Sequence, residues 1–308
     1  MEVRLALKAV GFFGLDVVGI TGNLAVLLLF CHLFYAQGHM PHNELILSQL
    51  VFANLMVMLC QGIPQALTAV GIEVLFGEYV CRAIIFAYRV GRGMSITTTS
   101  LLSSYQCVVI APPTSGWTWL KRWVPGHLPH AIVFLYGLNM ILHSTAILFT
   151  HAVPTNGSIP EYTIHLKFCI VVFPGYTVYW VCGAVNSVRD FVFVGLMAAA
   201  AVYVMLVLHR HRRQVQGLQG AGQKTEEASR AVLLLVSMYV VLFGLDNVLW
   251  VYTFCVSRVP PAVSDARVFF ASCYSAFSPV LIVATNKKLA TYFQCGSKLK
   301  ASKKQMNG

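Results

Sequence analysis

Seven stretches of this chain are each long and apolar enough to cross a bilayer: about 9–35, 44–71, 79–110, 130–150, 187–209, 231–257 and 266–286. A spanning helix needs roughly 20 mostly apolar residues, because each residue advances about 1.5 Å through a hydrocarbon core about 30 Å thick. Inside lipid every backbone N–H and C=O needs an internal partner, so runs of this length fold as helices. The expected class is therefore all-α: a seven-transmembrane helix bundle. Composition agrees. Of 308 residues, 57% are hydrophobic and only 11% charged, and the mean hydropathy is +0.69; a water-facing surface carries about 25% charged residues. The first stretch is longer than a signal h-region and lacks a small-residue cleavage site, so it is expected to stay as a span.

The formal net charge is +11. In a soluble chain that would suggest nucleic acid, but here the cations collect at span ends on one side. They are Lys121 and Arg122 in the 111–129 loop, Arg210, Arg212, Arg213, Lys224 and Arg230 in the 210–230 loop, and the lysines from Lys287 onward. No nucleic-acid partner is expected. The positive-inside rule puts these segments in the cytoplasm, hence the N-terminus outside and the C-terminus inside a multi-pass plasma-membrane protein in contact with lipid. The 151–186 loop is then external, and Asn156-Gly157-Ser158 within it is a glycosylation sequon. Six of nine cysteines fall within or near spans, where a buried thiol is ordinary. Cys81 and Cys169 lie outside and are the candidate disulfide, with two free thiols as the alternative.

One span is unusual. The run Cys81–Ile110 carries Arg89, Arg92 and the hydroxyls of Ser95, Thr97, Thr98, Thr99 and Ser100. A charge at mid-bilayer is costly and normally faces the bundle interior, where it marks function. Arg89 and Arg92 lie about 12–17 Å below Cys81 at helical rise, the depth of a small-ligand cavity. Tyr88, Arg92, Ser95 and Thr99 continue one stripe of that helix. Facing spans offer Asp190, Asp246 and Asp16, and the sixth adds Asn247 and Trp250 on the stripe of Asp246. In one reading the two arginines are struts paired with Asp190 or Asp246. In the other, at least one guanidinium faces an open cavity and holds a ligand anion, Arg92 being favoured for its depth. Hydroxyls such as Thr97 and Ser100 are expected to bond back to their own helix. His143 reads as a packed histidine. No metal-ligand cluster, phosphate loop or hydrolase motif is present in the sequence, so neither an enzyme nor a cofactor is expected.

On the inner side, Arg212, Arg213 and Arg230 either orient the chain or touch a cytoplasmic partner. After the seventh span, residues 287–295 read as a short amphipathic helix with Leu289, Tyr292 and Phe293 on one side, and Cys295 is a candidate lipidation site. Residues 1–295 form one expected seven-helix transmembrane domain, and 296–308 a basic disordered tail.

Several segments narrow the assignment. Gly22-Asn23 in the first span, HNELILSQLVFANLMVM (43–58), GRGMSITTTSLLSSYQCVVIAPPTSGWTWLK (91–121), HRHRRQVQ (209–216) and SRAVLLLVSMYVV (229–241) resemble vomeronasal type-1 receptors and their fish relatives, the class A-related olfactory receptors. Both sit within the rhodopsin-like G-protein-coupled receptors. Where that superfamily usually has Asp-Arg-Tyr, this chain has Tyr105, Gln106 and Cys107; Asn54 replaces the sodium-binding Asp; Phe243-Gly244-Leu245-Asp246 lacks the usual proline; and Ser278-Pro279 precedes Ile282. The resemblance implies a chemosensory (pheromone or olfactory) receptor for a small organic ligand, here suggested to be an acid. It also implies coupling to a heterotrimeric G-protein of the inhibitory type, with Tyr105, Gln106, Arg212, Arg213 and Arg230 as candidate contacts. A bitter-taste-like receptor is the alternative within that class, and a small-solute transporter or channel the alternative outside it.

Overall fold

The computed structural model describes residues 2–72, 76–112, 115–153, 162–166, 168–215, 223–255, 261–286, 289 and 291–292. Among them the helices assemble into seven rods. The first is α1 (Glu2–Gln37), and the second is α2 (His42–Val57) continued through a π-helical turn, Met58–Gly62, into α3 (Ile63–Ala69). The third is α4 (Glu78–Ile110), and the fourth is α5 (Ser115–His143) with the short α6 (Thr145–Phe149). The last three are α7 (Tyr176–Val215), α8 (Gln223–Cys255) and α9 (Pro261–Thr285).

Six rods are long and apolar enough to cross a membrane, and the protein is a multi-pass membrane protein. The seventh rod, α4, lacks that apolarity because of Arg82, Arg89, Arg92 and the hydroxyl ladder. It takes the middle of the bundle instead, packed by α2, α5, α7 and α8. Its central stretch is continuously buried, from Gly93 through Ser100. By contrast α7 turns Phe191, Val192, Leu196, Val202, Met205 and Leu206 outward, as a lipid-facing helix does.

The fourth rod starts earlier than its hydropathy suggests. Residues 115–129, expected as loop, are the first half of α5, which runs through Pro125 and Pro129. Two prolines four apart fall on one face, so the ladder loses bonds on that side alone. Rings stack along another side, Trp119 on Trp123 at 5.7 Å and Trp123 on His127 at 3.9 Å. Likewise α7 begins at Tyr176, well before the apolar stretch expected from 187, and continues to Val215.

The segment between α6 and α7 adds a small sheet to the helical frame. Its strands are β1 (Thr150–His151), β2 (Thr163–Leu166) and β3 (Cys169–Val172), in the order β1-β3-β2 and antiparallel throughout. Cys81 and Cys169 form a disulfide that ties β3 to the start of α4. Both half-cystines are buried among Ile85, Phe168, Val171 and Phe173. Ile164 and Leu166, two apart on β2, project to one side of the sheet.

The first and last rods approach each other closely. A Cβ built on Gly22 would lie 2.9 Å from the Pro279 ring, so only glycine admits the approach of α1 to α9. Beside it Asn23 donates to the carbonyls of Gly19 (2.7 Å) and Ser275 (2.8 Å), pinning the two rods together. After α9, Leu289, Thr291 and Tyr292 are helical, with Leu289 fully buried in the main core cluster. Phe293, Cys295 and the 296–308 tail lie outside the described residues, as does Asn156.

Candidate functional site

At the disulfide end the rods part around a cavity. Counted out to bulk solvent, the space measures about 850 Å³. Tyr88, Arg89 and Arg92 of α4 line it on one side. Opposite them stand Asp246 and Trp250 of α8 and Arg267 and Val268 of α9. Gln61 enters from the π turn, His143 from the end of α5, and Asn186 and Asp190 from α7, while Ile164 and Leu166 of β2 lie over it.

Arg92 is the hub. It reaches Asp246 at 2.6 Å through Nη2 and Asp190 at 3.2 Å through Nη1. Its guanidinium also lies 5.3 Å from the centre of the Phe243 ring. Each acid has a second cation. Arg189 grips Asp190 Oδ1 with Nε at 2.9 Å and Nη2 at 2.6 Å. The third nitrogen of Arg189 donates to His143 Nε2 at 2.6 Å and to Asn139 Oδ1 at 3.3 Å. Arg267 approaches Asp246 Oδ1 at 3.5 Å and stacks 4.1 Å over the Trp250 ring. A chain Arg189–Asp190–Arg92–Asp246–Arg267 thus joins α7, α4, α8 and α9; burial strengthens the charge-assisted bonds from Arg189 to Asp246, while Arg267 Nε, at 3.5 Å, is an ion pair without a hydrogen bond among the described residues.

Arg89 stands apart. It lines the same cavity, yet among the described residues no carboxylate pairs with it. The two readings of the arginines therefore divide between them. Arg92, favoured from its depth as the ligand residue, is the strut; Arg89, one turn nearer the open end, is the cation left over.

Other sequence candidates separate in the same way. Tyr88, Asp190, Asp246 and Trp250 come together at the cavity. Ser95 does not: it is 1% exposed and donates to Asn54 Oδ1 at 2.7 Å, one helix turn below. Asn247 is likewise buried behind the wall, its amide nitrogen on the Phe243 carbonyl at 2.9 Å. A stripe that long sweeps around enough of a helix for its lower members to meet neighbouring helices instead of the cavity. Asp16 is buried against the π turn, where a Cβ on Gly62 would lie 2.1 Å from its Oδ1, and takes no part in the cluster.

Sequence reasoning misses the lining residues Gln61, Ile164, Leu166, Asn186, Arg267 and Val268, and Arg189 behind them; His143, read as a packed histidine, also lines the cavity. Arg189 sits beside Asp190, and a charged pair inside an apolar run is a usable signal. Arg267 falls at the start of the seventh apolar stretch, where a topology-setting or snorkelling cation is the ordinary reading. Gln61 and Asn186 carry no signal beyond one amide each.

At the opposite end, Gln106 is 5% exposed and turned to Asn43 of α2 at 3.3 Å. Tyr105 is partly buried, its ring 6.2 Å from that of His42. Both are packed between α4 and α2 instead of standing free. Arg212 and Arg213 extend α7 and Arg230 lies early in α8, but their side chains are outside the described residues.

The chain matches the sequence model of the vomeronasal organ pheromone receptor family over residues 8–295, which includes every residue that lines the cavity. Olfactory receptor class A-like protein 1 of Danio rerio is 38% identical over 303 residues, covering 96% of this chain and 95% of its own length. Vomeronasal type-1 receptor A11 of Mus musculus is 28% identical over 291 residues, covering 90% and 88%. Vomeronasal type-1 receptor 2 of Homo sapiens is 27% identical over 273 residues, covering 87% and 69%.

Proposed function

Because the chain belongs to the vomeronasal organ pheromone receptor family, we propose that it is a chemosensory receptor whose residues 1–295 bind a small organic acid in the charged cavity and activate a heterotrimeric G-protein of the inhibitory type. The relatives are receptors, not enzymes. The observation that carries the acid is the charge count around the cavity. Among the described residues that line it, Arg89, Arg92 and Arg267 face only Asp190 and Asp246, and the buried Arg189 behind the wall adds a fourth cation on Asp190. Desolvated cations in excess attract an anion, and a guanidinium binds a carboxylate through paired N–H donors. Arg89 is the anchor in this reading, with Trp250, Ile164 and Leu166 as the apolar wall for the rest of the ligand.

Signalling requires that the ligand bind one arrangement of the rods better than another. Arg92 holds α7 and α8 to α4 through two carboxylates. An anion arriving at Arg89, one turn above, repels both. Loosening Asp246 from Arg92 frees α8 to move at the end away from the cavity. The expected orientation puts the cavity and the Asn156 sequon outside. Arg212, Arg213 and Arg230 then fall in the cytoplasm beside the G-protein, with Cys295 as a lipid anchor.

The test is nucleotide exchange on an added inhibitory-type G-protein by the receptor in lipid nanodiscs, screened against organic acids and their amide analogues. Acids should act and amides should not. Arg89→Ala should lose potency by roughly tenfold or more, the value of a charged hydrogen-bonded pair. Equal response of Arg89→Ala and wild type to every active acid would overturn the anchor. Acid flux through protein-loaded vesicles without any exchange would instead favour a transporter.

A further inference from the structure

Away from the charged cluster one acid is left over. Asp16 of α1 is 6% exposed, and its carboxyl lies against the π turn. Its Oδ1 and Oδ2 stand 2.1 Å and 3.3 Å from where a Cβ on Gly62 would be. Oδ2 has no hydrogen-bond partner among the described residues, and no cation among them pairs with this carboxylate. Lys8, two turns nearer the N-terminus, is engaged by Asp265 at 2.5 Å, and Arg267 by Asp246. Apolar groups enclose the region: Leu15, Met58, Cys273 and Ala276 form one cluster, and Phe12, Ala66 and Ala69 another. The same π turn carries a second stranded acceptor. Gln61 is 2% exposed, and its Oε1 also has no hydrogen-bond partner among the described residues. Gln61 is at the same time part of the cavity wall.

A carboxylate removed from water without a counter-charge is among the costliest groups a bundle can bury. What is stranded here is acceptors only, a carboxylate oxygen and an amide oxygen. A proton would settle one of them. A small hard cation settles the charge and takes both oxygens as ligands, and oxygen is the donor such ions prefer. A lone carboxylate supplies one negative charge, which suits a monovalent ion. We infer that Asp16 and Gln61 form a sodium site between α1 and the π turn, entered from the cavity past Gln61. The site is separate from the cluster around Arg92. It is separate also from the groups around Asn54, which are neutral and bond one another. An ion there ties α1 to the rod that carries Gln61 into the cavity wall, so its occupancy holds that wall in place whatever the cavity binds.

The experiment follows thermal inactivation of the full receptor in lipid nanodiscs as sodium chloride replaces choline chloride at constant ionic strength. Wild type, Asp16→Asn and Gln61→Leu are compared. Wild type should gain about 2 °C or more at ~0.15 M sodium, because an ion that binds only the folded state stabilises it. Asp16→Asn keeps the shape of the side chain and removes its charge, so it should fold and lose the sodium response. Gln61→Leu should keep a response but need several-fold more sodium for half of it. The linewidth of the sodium NMR signal, broadened by wild type and not by Asp16→Asn, reads the ion directly. Equal stability of wild type in sodium and choline overturns the site, and so does a sodium response that Asp16→Asn retains in full. A wild type that ignores sodium but follows pH, with Asp16→Asn flat, means that the carboxyl holds a proton, and this too overturns it. Should Asp16→Asn fail to fold, an unchanged sodium midpoint in Gln61→Leu overturns the site instead. None of these outcomes touches the acid reading, which nucleotide exchange decides.

Discussion

The cavity and the layer just beneath it are both polar, both built around α4, and opposite in kind. Beneath, the groups that tie α4 to its neighbours are neutral. Asn54 accepts from Ser95 at 2.7 Å and from Ser275 at 3.4 Å, and donates to Ser278 at 2.7 Å, tying α2, α4 and α9 into one knot. Thr97, Thr99 and Ser103 bond the carbonyls four residues back at 2.7–3.0 Å; Ser100, expected to do the same, is buried with no hydrogen-bond partner among the described residues. Above, the groups are charged and the cations outnumber the acids. There Arg89 has no carboxylate, and His143 Nδ1 and Asn186 Oδ1 have no hydrogen-bond partner, among the described residues. A satisfied neutral knot holds helices at fixed distances. An unsatisfied charged shell is stable only if something else completes it, or if water from the open end does so meanwhile. The contrast separates the part that fixes the bundle from the part that recognises. Between the two lies an aromatic layer. Tyr239 stacks on Phe243 at 4.2 Å and meets Tyr274 edge-on at 4.4 Å. It touches Arg92 above through Phe243 and Thr99 below through Tyr274.

The sharpest way to break this contrast is to treat the two arginines alike. Arg92→Ala should be the most damaging single change in the region, because it strands Asp190 and Asp246 with their remaining partners off to one side. Removing one member of a buried ion network costs about 3–5 kcal/mol, enough to abolish surface expression of a marginal membrane protein. Arg89→Ala strands nothing and should express at wild-type level while losing the acid response. Thermal inactivation of detergent-solubilised receptor measures both. If the two variants lose stability equally, Arg89 has a counter-ion and the division of labour fails.

Next in size is the seam between the layers. A Cβ on Gly93 would lie 2.1 Å from Asn139 Oδ1 and 3.1 Å from Arg189 Nη1. Asn139 cannot easily yield, since its nitrogen holds the Leu135 carbonyl at 2.8 Å and Thr97 at 3.3 Å. Gly93→Ala should therefore cost about 1–3 kcal/mol as overpacking. It should also disturb ligand potency, because Arg189 moves with Asn139. Asn54→Leu comes after it, at about 2 kcal/mol for three lost interhelical bonds at roughly 0.6 kcal/mol each plus stranded hydroxyls. That variant should leave the ranking of acids unchanged. A shifted ranking would mean that the lower knot takes part in recognition.

How much of this is legible in the sequence depends on what each residue has to oppose. A span that keeps Arg89 and Arg92 announces an interior position, because lipid would not tolerate them, and Asp190 and Asp246 announce themselves on the same ground. Cys81 and Cys169 are legible because most of the other cysteines sit in apolar runs. The partition of roles is not legible. Whether Arg89 or Arg92 meets the acids depends on the approach of α7 and α8, and the turn of helix between the two arginines decides it. Nor is the true start of α5. Its first half carries Lys121, Arg122 and two prolines, so hydropathy stops short of a helix that ring stacking and backbone bonding continue. The strands β1–β3 hide for a related reason: Thr163–Leu166 and Cys169–Val172 are too short for a period-two pattern to stand out.

The smallest expected effect tests whether the aromatic layer connects the two regions or merely fills the space. Thr99 bonds the Ser95 carbonyl at 2.7 Å and the Tyr274 hydroxyl at 3.0 Å. Thr99→Val keeps the shape and removes both. An interhelical hydrogen bond of this kind is worth about 0.6 kcal/mol in a membrane protein, so the melting temperature should move little. Tyr274, however, would lose its anchor on α4 while keeping its edge contact with Tyr239. If the layer transmits, Thr99→Val changes basal nucleotide exchange without changing the affinity of any acid, because the bond lies below the recognising shell and alongside the helix that must move. Unchanged basal exchange in a stable Thr99→Val receptor would reduce the aromatic layer to packing, and the signal would then have to pass through Arg92 and Asp246 directly.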